Sequence, residues 1–190
     1  TAVRQKYNLG DSPYLLSVGT VQPRKNYQML IQAFAPIAAN WPHNLYIAGG
    51  KGWLYDEMMA EVEKQGLTER VAFIGFVADE DLPTLYSGAD LYLFPSLYEG
   101  FGLPLLEAMA CGVPVIASDV SSLPEVGLGT AVMLPPHDLL QWTQTMDALL
   151  SDSEQCQKMA AAGYQQVRKF SWEKAAAQLL AIYQALYSSR

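Results

Sequence analysis

Short runs of consecutive apolar residues alternate along the chain with segments whose apolar residues fall at helical spacing. Tyr14–Val18, Leu45–Ala48, Val71–Ile74, Leu91–Phe94, Val113–Ala117 and Ala131–Leu134 read as strands. Tyr27–Ala39, Trp53–Gln65, Asp81–Ser87, Pro104–Ala110, Asp138–Leu150, Ser153–Lys169 and Ser171–Tyr187 read as helices. Gly66 and Gly112 stand where helix C-caps are expected, and Pro104 occupies the first turn of its helix. Strands that are apolar throughout and linked by helices belong to a parallel sheet covered on both faces. The predicted fold class is α/β, a doubly wound, Rossmann-like parallel sheet, in one domain over residues 1–190.

Such sheets bind ligands beyond the carboxyl ends of their strands. The loops expected there are Gly19–Asn26, Gly49–Gly52, Gly75–Val77, Pro95–Leu103 and Ser118–Ser122. Glycines, small hydroxyls, the adjacent cations Arg24 and Lys25 and the carboxylates Glu99 and Glu107 therefore share one rim. Gly100-Phe101-Gly102 leads into a helix whose first amides have no partner of their own and favour a phosphate. Glu107, about one turn into that helix, suits paired hydrogen bonds from ribose hydroxyls. A plainer role for it is to complement the helix dipole. Glu99, earlier in the loop, has no such helical explanation.

Composition narrows the partners. Lys+Arg 12 against Asp+Glu 19 leaves a net charge of −7, which excludes a general nucleic-acid binder. An acidic chain that gathers cations at one rim points to an anionic ligand. With 51% hydrophobic residues, and 16% charged against a usual share of about 25%, the chain can build a sizeable core. The same low charge implies an apolar surface that meets another body. No apolar run approaches the ~20 residues of a membrane span. Thr1 opens a polar stretch without a signal-peptide pattern. Cys111 and Cys156 are too far apart for a metal-type pair and too few for a disulfide framework, so a cytoplasmic setting is expected.

Tyr98-Glu99-Gly100-Phe101-Gly102-Leu103-Pro104-Leu105-Leu106-Glu107-Ala108 carries two glutamates with seven residues between them. It resembles the hallmark of the retaining, nucleotide-sugar-dependent glycosyltransferase family four, the glycosyl transferases group 1. The resemblance runs from Tyr14 to about Tyr187. It includes Val18-Gly19-Thr20, Arg24-Lys25-Asn26, Ile47-Ala48-Gly49-Gly50, Phe73-Ile74-Gly75, Ala89-Asp90, Gly112–Ser118 and Leu123-Pro124-Glu125-Val126.

The resemblance implies one half of a GT-B architecture, the C-terminal donor-binding domain, with the N-terminal acceptor-binding domain absent. The chain alone is then catalytically incomplete. The implied partner is a nucleoside diphosphate sugar, GDP-mannose first and UDP- or other GDP-hexoses next. No cofactor and no metal are implied. Lys25 is expected at the diphosphate, and Arg24 either there or bracing the loop. Many members place that arginine directly after the strand-one glycine, where Thr20 stands here. Glu99 is expected to hold the transferred sugar and Glu107 the ribose. Gly19, Thr20 and the loop Gly100, Phe101, Gly102 and Leu103 would contact the sugar-phosphate region. The base would lie near Phe76 and Val77. Membrane association, at the inner face, would come only through the absent half. The rivals are a sugar-nucleotide epimerase-like domain and a non-catalytic α/β interaction module.

Other signals are read as structural. Asp79-Glu80-Asp81 precedes a helix and is expected to cap it rather than bind metal. Gly50-Lys51-Gly52 lacks the spacing and the Ser/Thr of a P-loop. His43 and His137 are expected at the surface, and Cys111 in packing. The apolar residues of the last helix, from Trp172 to Tyr187, fit either the core or a contact with the absent domain.

Overall fold

The computed structural model describes residues 2–53 and 55–188. Among them, six parallel strands form one sheet in the order β3-β2-β1-β4-β5-β6. The strands are β1 Tyr14–Val18, β2 Asn44–Ala48, β3 Val71–Gly75, β4 Leu91–Phe94, β5 Val115–Ser118 and β6 Val132–Leu134. The helices are α1 Ala2–Lys6, α2 Tyr27–Asn40, α3 Tyr55–Lys64, α4 Leu82–Ser87, α5 Leu103–Ala110, α6 Leu123–Gly127, α7 Leu139–Ser151, α8 Ser153–Val167 and α9 Trp172–Ser188. A 3₁₀ turn, Pro23–Lys25, lies between β1 and α2. The order reverses between β1 and β4, which makes that pair the topological switch point.

Strand alternation divides the core into two layers. Leu15, Leu45, Ile47, Leu91, Leu93 and Ile116 face one side, against Leu30, Phe34 and Trp142 of α2 and α7. Leu16, Tyr46, Tyr92, Phe94, Val115 and Ala117 face the other, against Leu85, Leu105 and Met109 of α4 and α5. A strand with apolar residues at every position is what a sheet covered on both faces requires. Asp138 and Asp152 cap α7 and α8 by accepting from the amides of Gln141 and Gln155, at 3.0 and 2.9 Å.

Several expectations move. The expected strand from Val113 begins at Val115, because Pro114 has no amide to give the ladder and offers only its carbonyl, to Tyr92 N at 2.9 Å. The expected helix from Trp53 begins at Tyr55, and Leu54 lies outside the described residues, as does Thr1. Helices α1 and α6 were not foreseen; both have five residues, too short for a clear period.

Asp81 does stand at the N-cap position of α4, yet its side chain makes no capping bond. Its Oδ2 instead accepts from Lys6 Nζ at 2.5 Å and Tyr7 Oη at 2.8 Å, tying the N-terminal segment to α4. His43 is buried rather than at the surface. Arg70 reaches over the turn before β2 and donates to the carbonyls of Ala38, Trp41 and His43, which draws the His43 ring inward beside Asp90. His137 is exposed.

Candidate functional site

At the switch point the loop after β1 and the loop after β4 are joined by main chain. Leu97 N donates to Arg24 O at 2.7 Å, and Arg24 Nη1 donates to Tyr98 O at 3.1 Å. Asn26, at a left-handed φ of 56°, ends the 3₁₀ turn and donates from Nδ2 to Pro136 O at 2.7 Å. These bonds hold the turn that carries Arg24 and Lys25.

Lys25 is buried, its side chain only 6% exposed, with Nζ 2.7 Å from Glu99 Oε1 and 4.7 Å from the Phe94 ring centre. Arg24 Nη1 lies 2.8 Å from the same oxygen, and Ser96 Oγ donates to it at 2.8 Å. Burial pulls the Lys25 ammonium below its ordinary value, against the opposing effect of Glu99. Burial also works to raise Glu99, but hydrogen bonds from Lys25, Ser96 and Arg24 outweigh it and hold the carboxyl below its usual range. Glu99 is thus a carboxylate enclosed by two cations, with all three donors on Oε1.

Its backbone is clamped as well. Glu99 N donates to Ser121 Oγ at 3.0 Å, and Ser122 Oγ donates to Glu99 O at 3.2 Å. Ser121 holds a left-handed φ of 50°, which a serine adopts at a cost. The rim's hydroxyls stood out in the sequence as a group. Which of them serve Glu99 depends on how β5 stands beside β4.

Two glycines make the space. A Cβ on Gly19 would sit 2.6 Å from Lys25 Cε and 2.9 Å from Nζ, so any other residue there displaces the lysine. Gly102 has φ 103° at the N-cap of α5, and a Cβ there would meet Leu123 Cδ2 at 2.7 Å.

Helix α5 begins at Leu103, so Glu107 falls beyond its first turn, where the dipole explanation is weak. Glu107 is exposed, and its Oε2 accepts from Tyr86 Oη at 2.8 Å. Thr20, Gly100, Phe101 and Leu103 are exposed along the same rim, and Phe101 packs edge-on against Phe170 at 5.9 Å. Phe76 is 76% exposed, whereas Val77 is buried in the core. The loop after β3 therefore presents the Phe76 ring and only the main chain of Val77. A lone apolar residue after a strand carries no local sign of which way it turns.

Among the described residues, no group of three or more His, Cys, Asp or Glu is placed to hold a metal ion. Neither is any of their helices long and apolar enough to cross a membrane. Cys111 lies at the C-terminal end of α5, where burial raises its thiol above the ordinary value, the opposite of an activated nucleophile.

The strand order and the charged rim at the switch point define a Rossmann-like α/β domain of the type found in GT-B glycosyltransferases. Residues 1–166 match the family model described as glycosyl transferases group 1, and the chain belongs to that family. O-antigen chain mannosyltransferase B of Escherichia coli is 39% identical over 186 residues, which cover 97% of this chain and 49% of that protein. Sucrose-phosphate synthase from Thermosynechococcus elongatus superposes with a TM-score of 0.85 at 32% identity, covering 99% of this chain and 49% of that one. The C-terminal domain of a glycosyl transferase group 1 family protein from Francisella tularensis gives a TM-score of 0.75 at 29% identity. There 87% of this chain and 91% of that one are covered. The chain thus spans about half the length of the mannosyltransferase it matches.

Proposed function

We propose that this chain is the donor-binding half of a retaining hexosyltransferase that builds a polysaccharide or glycoconjugate, with GDP-mannose the favoured donor. The observation that carries this reading is the Arg24-Lys25 turn held against Leu97, Tyr98 and Glu99 at the switch point, with Gly19 leaving room for the lysine. Lys25 and Arg24 would meet the diphosphate. The first amides of α5, around Gly102 and Leu103, would contact the sugar-phosphate region. As the bond from the anomeric carbon to the diphosphate breaks and the acceptor oxygen bonds to that carbon, negative charge grows on the leaving group, which takes up the acceptor's proton. Fixed cations in a part-buried site stabilise it there. Glu107 would accept from ribose hydroxyls, Glu99 Oε2 from hydroxyls of the moving sugar, and the exposed Phe76 ring would lie against the base.

Mannose is favoured because a mannosyltransferase is the relative at 39% identity. An acceptor-binding domain, apart from residues 1–190, would complete the active site. The apolar face of α9 supports such a partner, since none of its residues is buried. Two free cysteines fit a reducing compartment.

Calorimetric titration with GDP and UDP tests the reading. GDP should bind more tightly than UDP, binding should persist in excess EDTA, and the chain alone should transfer no sugar. Binding of neither nucleotide would sink the donor assignment, and robust transfer by the chain alone would sink the half-site assignment. Binding lost in EDTA and restored by magnesium would show that a metal shares the diphosphate.

A further inference from the structure

Tyr86 belongs to none of the loops on the rim. It sits in the last turn of α4, only 1% exposed, with its ring edge-on to Tyr92 at 5.4 Å. Tyr92 in turn tilts against Phe94 at 5.9 Å, and Phe94 carries the Lys25 ammonium over its face at 4.7 Å. A buried aromatic row therefore runs under the site, from Glu107 at one end to the Lys25–Glu99 pair at the other. A buried hydroxyl is costly without a partner, and that of Tyr86 has one in Glu107. The Tyr86 hydroxyl reaches out of the core to Glu107, an exposed side chain that water could satisfy by itself.

We propose that Tyr86 is a positioning residue, whose hydroxyl fixes Glu107 Oε2 so that Oε1 is presented to the ribose of a nucleoside diphosphate. This rests on the reading that Glu107 meets ribose. A glutamate left to solvent spreads over many rotamers, and ordering it on binding costs conformational entropy. A carboxylate has about four acceptor sites, so one bond from Tyr86 restrains it and leaves the rest free. Burial, with Tyr92 and Glu107 beside it, keeps the Tyr86 phenol protonated far above its ordinary range, so it donates at every working pH.

The test titrates GDP and 2′,3′-dideoxy-GDP into the wild-type chain, Tyr86→Phe, Glu107→Gln and the double variant. Tyr86→Phe keeps the buried ring and should weaken GDP about three- to tenfold. It should leave the dideoxy nucleotide unchanged and add nothing in the Glu107→Gln background. An equal loss for both nucleotides makes Tyr86 merely structural and overturns the proposal. So does unchanged GDP affinity in Tyr86→Phe while Glu107→Gln weakens it, and in that case the ribose reading survives. Wild-type GDP affinity in Glu107→Gln removes the ribose reading and the positioning role together.

Discussion

The switch-point rim and helix α9 both invert the ordinary rule of burial, in opposite directions. At the rim, charged groups are inside: Lys25 and Glu99 are buried, and each has its partners within the chain. Along α9, large apolar groups are outside: Trp172, Leu179, Ile182 and Tyr183 are each at least half exposed, on one side of a helix with no buried residue. A buried ion pair is tolerated only where its bonds are complete, whereas an apolar stripe costs most when nothing covers it. The charges of the rim are therefore paired within the chain, whereas the apolar stripe of α9 is exposed.

Lys25→Met should give the largest effect, because it leaves Glu99 enclosed without its principal counter-charge. Breaking such a pair costs about 3–5 kcal/mol, to be read from urea denaturation followed by far-ultraviolet dichroism. A loss below about 1 kcal/mol would place the pair with ordinary surface salt bridges. Gly19→Ala comes next. Its new methyl takes the place of the Lys25 side-chain end, and overpacking of this kind costs about 1–3 kcal/mol. Diphosphate affinity should fall with it, since the lysine is displaced; undiminished GDP binding would remove Lys25 from the phosphate site.

Glu99→Gln sharpens the electrostatic side. Glu99 titrates lower in the folded chain than its free value of 4.5, so its contribution to stability is full above that value and is lost as pH falls through the folded one. The variant should show a shallower loss of stability below about pH 5. Some slope should remain from Asp81 and Glu61, whose carboxyls are also held low by Lys6 and Gln65. Identical slopes in wild type and variant would mean that Glu99 gains nothing from its cations. The smallest effect belongs to α9. Ile182→Gln with Tyr183→Gln should change stability by less than about 0.5 kcal/mol, while reducing dye binding and self-association. A large loss of stability would mean the stripe already packs within this chain.

The regular elements were legible because burial in a doubly wound sheet leaves a local mark. Strand Leu91–Phe94 is apolar throughout, Tyr14–Val18 is apolar but for Ser17, and both fall where the runs place them. Gly66 and Gly112 take positive φ at helix ends, as a residue without Cβ at a C-cap should. The carboxyl-end rule places the loops after β1, β4 and β5 on one rim, where hydrogen bonds join them. Local pattern stops at partners. Lys25 and Glu99 are 74 positions apart, so their bond exists only once β1 and β4 stand side by side. The same holds for Ser121 with Glu99, Tyr86 with Glu107, Lys6 with Asp81, and the burial of His43 under Arg70. Hydrophobic period is summed over neighbouring residues and survives in one dimension. A hydrogen bond has a range of about 3 Å and a direction, so only the tertiary structure decides which of several chemically suitable side chains receives it.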